Sequence, residues 1–153
     1  MRHLLMFILQ LSVSHWVFAQ NPVGQQNFNL EKGLALQGYD PVAYIVQSKA
    51  VKGNKEIAAR VHGVTYYFSV QAHKDIFLKN PSAYEPAYGG WCAYAMGATG
   101  EKVEVDPETF KIVQGKLYLF YHSWTNNTLT KWNKDEPNLK AKADLNWKKF
   151  IKN

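Results

Sequence analysis

The sequence predicts an α+β fold: a small antiparallel sheet built from hairpins, packed with several short helices and closed by a C-terminal helix. Three observations carry that reading. Alternating apolar runs flank two-residue turns containing glycine, at His62-Gly63 and again at Gln114-Gly115, which is the local signal for a β-hairpin. Residues that cap or stop helices bound the segments between the hairpins. Near the end of the chain, Leu139, Ala143, Trp147, Phe150 and Ile151 recur at helical spacing.

The 153 residues suit one ordinary domain, and 46% apolar with 20% charged residues describes a globular chain. Aromatic residues make up 14%, enough to fill a substantial core. One cysteine excludes an internal disulfide framework and a zinc site of the multi-cysteine kind.

The elements follow in order. Arg2 and His3 form a basic start, residues 4–18 are mostly apolar, and Val17-Phe18-Ala19 supplies the small residues read by a signal peptidase. Residues 1–19 are therefore expected to be a signal peptide cleaved after Ala19, which makes the protein periplasmic or secreted. The apolar stretch is shorter than the roughly 20 residues of a spanning helix, and no transmembrane segment is expected after cleavage. Residues 20–30 read as a flexible polar leader and residues 31–153 as a single domain.

Gly38-Tyr39-Asp40-Pro41 reads as a turn opening a short helix over residues 42–46, with Asp40 as the cap and Pro41 at a favoured first position. Residues 49–51 should then be extended. Ala59 and Val61 alternate into the first hairpin turn, and Val64, Tyr66 and Phe68 alternate out. Ser69 is expected to cap a helix to Lys79, which Pro81 stops. A short helix over residues 91–96 should follow Gly89-Gly90. Glu101, Glu104, Asp106 and Glu108 cluster around Asp106-Pro107 and read as a solvated loop. The second hairpin's outgoing strand, from Lys116 to Tyr121, is apolar on both faces, which predicts a place in the sheet centre. Ser123 is expected to cap a helix to about Asn133, and Pro137 to open the closing helix.

Several function classes are excluded. The chain has no glycine-rich phosphate loop, H-E-x-x-H, G-x-S-x-G or EF-hand pattern. Tyr121-His122-Ser123 sets a base beside a hydroxyl, but adjacent side chains point different ways, which disfavours a serine nucleophile. No hydrolase, kinase or dehydrogenase motif is present, so a non-enzymatic role is expected. The formal charge is +6, and seven lysines crowd residues 131–152. No arginine accompanies them, and arginine is the residue suited to planar phosphate recognition. Nucleic acid is therefore not an expected partner; a solvated helix face is, with contact to an anionic surface as the alternative.

Further residues carry a resemblance. Gly38-Tyr39-Asp40-Pro41-Val42-Ala43-Tyr44, Gly63-Val64-Thr65-Tyr66-Tyr67-Phe68-Ser69, Phe77-Leu78-Lys79-Asn80-Pro81-Ser82-Ala83-Tyr84 and Tyr88-Gly89-Gly90-Trp91-Cys92-Ala93 occur in that order. With Gly115-Lys116-Leu117-Tyr118-Leu119 and the ending Ala143-Asp144-Leu145-Asn146-Trp147, they resemble the YHS-domain family, in particular its exported single-domain bacterial group. The resemblance implies kinship with TRASH-type metal modules and with domains attached to copper-transporting ATPases. Where the metal-associated form has cysteines, this chain has Ala43, Ser69 and His73, so that ligand set does not transfer intact. In the exported group the position of Cys92 is sometimes selenocysteine, which implies a reactive chalcogen there.

After residue 19, Cys92 is the only cysteine and Met96 the only methionine. Four residues apart on an expected helix, they share one face, and thiolate with thioether is a donor pair suited to Cu(I). His73 shares a stripe with Val70 and Phe77 and should face inward, which makes it the imidazole expected to complete a metal site. His62 and His122 are the substitutes. The leading expectation is thus a soft, copper-like metal bound through Cys92, Met96 and His73. One alternative is thiol-redox chemistry at a lone reactive cysteine, with the thiol in the first turn of a helix. Another is a small-molecule-binding or structural module in which Tyr44, Tyr84, Tyr88, Trp91 and Tyr94 line a pocket above an inert Cys92.

Overall fold

The structure, a computed structural model, describes residues 25–152. The expected signal peptide, its cleavage point and residues 20–24 lie outside the described residues. Among those described, mixed helices and small, mainly antiparallel sheets form an α+β fold closed by a C-terminal helix.

In chain order the elements are β1 (Leu30–Glu31), β2 (Leu34–Ala35), α1 (Pro41–Gln47), β3 (Asn54–Val61), β4 (Val64–Phe68), α2 (Gln71–Lys79), α3 (Ala93–Ala98), β5 (Asp106–Val113), β6 (Lys116–Phe120), β7 (His122–Ser123), β8 (Asn126–Asn127), α4 (Thr128–Trp132) and α5 (Glu136–Ile151). Strands pair in the order β1-β2-β4-β3, with β5-β6 and β7-β8 as separate hairpins. The β2–β4 contact, Leu34 to Thr65, is parallel and the other pairings are antiparallel.

Both long hairpins turn where expected. His62 and Gly63, and likewise Gln114 and Gly115, all have positive φ, the geometry that matches the twist of the flanking strands. Asp40 caps α1 through the amides of Val42 and Ala43, with Pro41 in the first turn.

Two expected caps move. The Ser69 side chain does not cap α2; its hydroxyl donates to Asp40 Oδ2 instead, a charge-assisted bond that holds the side chain against α1. Ser123 does not open α4: residues 122–127 fold back as the β7–β8 hairpin, and Asn127 caps α4 by accepting from Leu129 N. The residues at the tip of that hairpin include a fully exposed Trp124.

Residues 25–30 are also not a flexible leader. Asn27 is buried and donates to Phe150 O at 3.0 Å, while Asn29 N donates to Gly89 O at 2.8 Å. Backbone groups on both partners supply the docking energy, which polarity alone does not reveal. Asp106 and Pro107 likewise begin β5 rather than an open loop: Tyr44 Oη donates to Pro107 O and Tyr39 Oη to Glu108, both at 2.7 Å.

β6 does not run through a sheet centre, for it pairs with β5 alone. Its two apolar faces have a different cause. Leu117 and Leu119 enter one core with Val42, Tyr44, Tyr66, Phe68 and Phe77. Tyr118 and Phe120 enter a second with Ala93, Met96, Trp132 and Ala143. The strand is the wall between two cores, so both faces are dry. α3 and α5 press together in the second core, where a Cβ on Gly97 would stand 2.4 Å from Leu139 O.

Candidate functional site: the Cys92 cleft

Cys92 stands one residue before α3, at its cap, rather than inside the first turn. Its amide donates to Val103 O at 2.9 Å and its carbonyl accepts from Met96 N at 3.0 Å. The side chain is fully buried, between the end of β6 and the start of α4. Sγ accepts from Tyr121 N at 3.4 Å and lies 3.4 Å from Thr128 Oγ1. The Thr128 hydroxyl spends its own proton on Tyr121 O at 2.8 Å, so its oxygen faces the thiol as an acceptor.

Cys92 is among the residues around a cleft of about 250 Å³, along with Tyr94, Glu101, Tyr121, Asn126 and Thr128. Asn126 Oδ1 is buried and has no hydrogen-bond partner. An unsatisfied buried acceptor costs roughly 1–3 kcal/mol. Ala98 and Thr99 belong both to this cleft and to a basic groove lined by Lys142, Lys148, Lys149 and Lys152.

The three expected metal ligands fall in three settings. Met96 is fully buried in the second core among Phe120, Trp132 and Ala143, where a thioether packs well against aromatic rings. His73 does face inward, beneath α1, while Val70 of the same stripe is exposed. Its Nδ1 lies 2.6 Å from Asp40 Oδ2 and its Nε2 3.4 Å from Gln47 Nε2. With Nδ1–H donating to the carboxylate, Nε2 is the acceptor for the amide, and both ring nitrogens are engaged. The hydrogen bonds of His73 and of Cys92 share no residue.

Among the described residues, no group of three or more His, Cys, Asp and Glu stands in a metal-holding arrangement. Of the substitutes, His62 occupies the first hairpin turn, and His122, next in the chain to the thiol's partner Tyr121, faces Thr109 at 3.2 Å and Asp106 at 3.4 Å. The three residues expected from sequence spacing are thus not linked through shared side-chain hydrogen bonds. Spacing along one helix orients side chains only relative to that helix, and α2 turns its stripe toward α1.

Asp40 is the residue whose importance spacing understated. Its fully buried carboxylate accepts from Val42 N and Ala43 N through Oδ1, and from Ser69 N, Ser69 Oγ and His73 Nδ1 through Oδ2. Burial pushes its carboxyl up, but the hydrogen bonds from Ser69 and His73 outweigh burial and hold it below the usual carboxylate range.

Of the aromatic residues expected around Cys92, only Tyr94 lines its cleft. Tyr44 Oη is tied to Pro107 O, Tyr84 packs on Phe77, Tyr88 Oη donates to Asp144, and Trp91 Nε1 donates to Asn27 O. No motif signals Asn126 and Thr128; Thr128, at the start of α4, reaches the thiol, and Asn126, in β8, lines the same cleft. No protein-family model, curated protein or solved structure matches the chain.

Proposed function

We propose that this chain is an exported, YHS-like binding protein that holds a small ligand in the cleft beside α3, with Cys92 as the anchoring group. One observation carries the reading: Cys92 and Asn126, whose buried Oδ1 has no hydrogen-bond partner among the described residues, line the same cleft. A ligand suited to it carries an N–H or O–H donor for Asn126 and a soft, polarisable centre for sulfur. The leader-like composition of residues 1–19 supports export. The lysine groove beside the cleft supports an anionic approach surface.

A soft, copper-like metal ion is the second reading, favoured by the thiol's place at a cleft. It rests on Cys92 with ligands other than His73, since both nitrogens of that ring are engaged. Redox chemistry at Cys92 is less favoured: after residue 19 there is no second cysteine, and an external thiol would have to resolve an oxidised one.

Non-denaturing mass spectrometry of the protein isolated from the cells that make it tests the reading. An adduct present in wild type, lost in Cys92→Ser and weakened in Asn126→Ala supports it, and the adduct mass separates an organic ligand from copper. Wild type without an adduct, or the same adduct on Cys92→Ser, overturns it.

A further inference from the structure

A second cleft, of about 280 Å³, opens on another part of the molecule, walled by Phe28, Tyr88, Tyr118 and Trp147 and carrying Lys116 and Glu85. Its charged groups are unevenly satisfied. Asp144, also on the wall, is fully engaged: it accepts from Tyr88 Oη at 2.9 Å and from Lys140 at 2.8 Å. Lys116 donates only to Ser82 O, at 3.2 Å, and none of the ion pairs among the described residues includes it. Glu85 accepts from the buried Tyr66 hydroxyl at 3.1 Å and likewise forms no ion pair there.

From this arrangement we infer that the cleft is a binding site for a free α-amino acid with an aromatic or large apolar side chain. Lys116 takes the carboxylate, Glu85 takes the ammonium, and the ring lies among Tyr88, Tyr118 and Trp147. A zwitterion answers together a cation and an anion that form no direct ion pair among the described residues, which a simple carboxylate or amine does not. The volume is just below the ~300–1,000 Å³ usual for ligand pockets, so the ligand is small. Aromatic walls with a few convergent polar groups are the usual chemistry of such sites. Burial holds the Lys116 ammonium below its ordinary range, with the Glu85 charge opposing that shift. A partly desolvated cation of this kind gains from an anionic partner.

This site shares no lining residue with the Cys92 cleft, and it stands or falls independently of that reading. The test is isothermal titration of the full mature chain with L-phenylalanine, phenylacetate and 2-phenylethylamine as probes. Wild type should bind L-phenylalanine about tenfold or more tighter than either singly charged probe, since each charge-assisted hydrogen bond is strong. Lys116→Gln should reduce L-phenylalanine to the affinity of 2-phenylethylamine, and Glu85→Gln to that of phenylacetate. The comparison of probes on wild type needs no variant to fold, and thermal melts establish the fold of both variants. Absence of saturable L-phenylalanine binding overturns the inference. So does equal affinity for all three probes, or unchanged L-phenylalanine affinity in both folded variants.

Discussion

Asp40 and His73 are separated by 33 positions in the chain and by 2.6 Å in the fold. Through this contact the N-terminus of α1 is joined to α2, and Ser69, just past the end of β4, completes the joint with two further hydrogen bonds to the same carboxylate oxygen. One buried side chain thus serves as helix cap, loop anchor and hydrogen-bond acceptor for His73.

Asp40→Ala should be among the most damaging single changes. It removes the cap of α1, about 1 kcal/mol, and leaves His73 Nδ1–H and the Ser69 hydroxyl without their acceptor, a further cost of roughly 1–3 kcal/mol for buried unsatisfied donors. Urea denaturation of the variant beside wild type measures it. A loss near the ~1 kcal/mol of an ordinary cap would mean that the contact with His73 adds little.

The same carboxylate sets an acid limb. Its carboxyl is lower in the folded state than in the unfolded chain, so its contribution is full above the unfolded value of about 3.9. That contribution is lost as pH falls from there through the folded value. Stability measured from pH 6 downward should drop more steeply in wild type than in Asp40→Asn.

Gly97→Ala should separate α3 from α5. The added Cβ would meet Leu139 O at 2.4 Å, a backbone atom with no rotamer to yield. Overpacking of this kind costs roughly 1–3 kcal/mol, read as a lower melting temperature. Because α3 carries Cys92 at its cap, alkylation of the thiol by iodoacetamide should also accelerate.

Thr128→Val leaves Tyr121 O without its donor and the thiol without its oxygen acceptor, while keeping the side-chain shape. The expected cost is roughly 1–3 kcal/mol, and Thr128→Ser should restore most of it. Equal stability of the valine and serine variants would show that the hydroxyl does not matter to the fold.

Trp147→Ala tests the docking of α5. The ring packs on Tyr88 at 6.3 Å and Phe150 at 5.9 Å between centroids, but stays partly exposed. The loss should be roughly 2–3 kcal/mol, below the ~3–5 of a fully buried ring. Thermal denaturation reads it directly.

Much of the local architecture was legible in the sequence. The two glycine-bearing turns, the Asp40 cap with Pro41 behind it, the stop at Pro81 and the apolar stripe of α5 each depend on residues within a few positions of one another. Backbone dihedrals and capping bonds are settled at that range, so the α+β class follows from them. The candidate site was legible only in part: Cys92 was singled out by its rarity, but its setting was not.

Tertiary structure alone decided the rest, for a physical reason that recurs. Period and burial show that a face is apolar, not which surface covers it. β6 has two dry faces whether it lies within a sheet or between two cores, and only the packing of α3, α4 and α5 against Tyr118 and Phe120 selects the second. His73 faces inward under either reading, yet its partner became Asp40 because α2 lies against α1. Ser69 could cap α2 by accepting from a local amide, but folding brings up a buried carboxylate and its side chain donates there instead. Met96 and Cys92 share a helix by sequence, while the aromatic core claims one sulfur and a cleft the other.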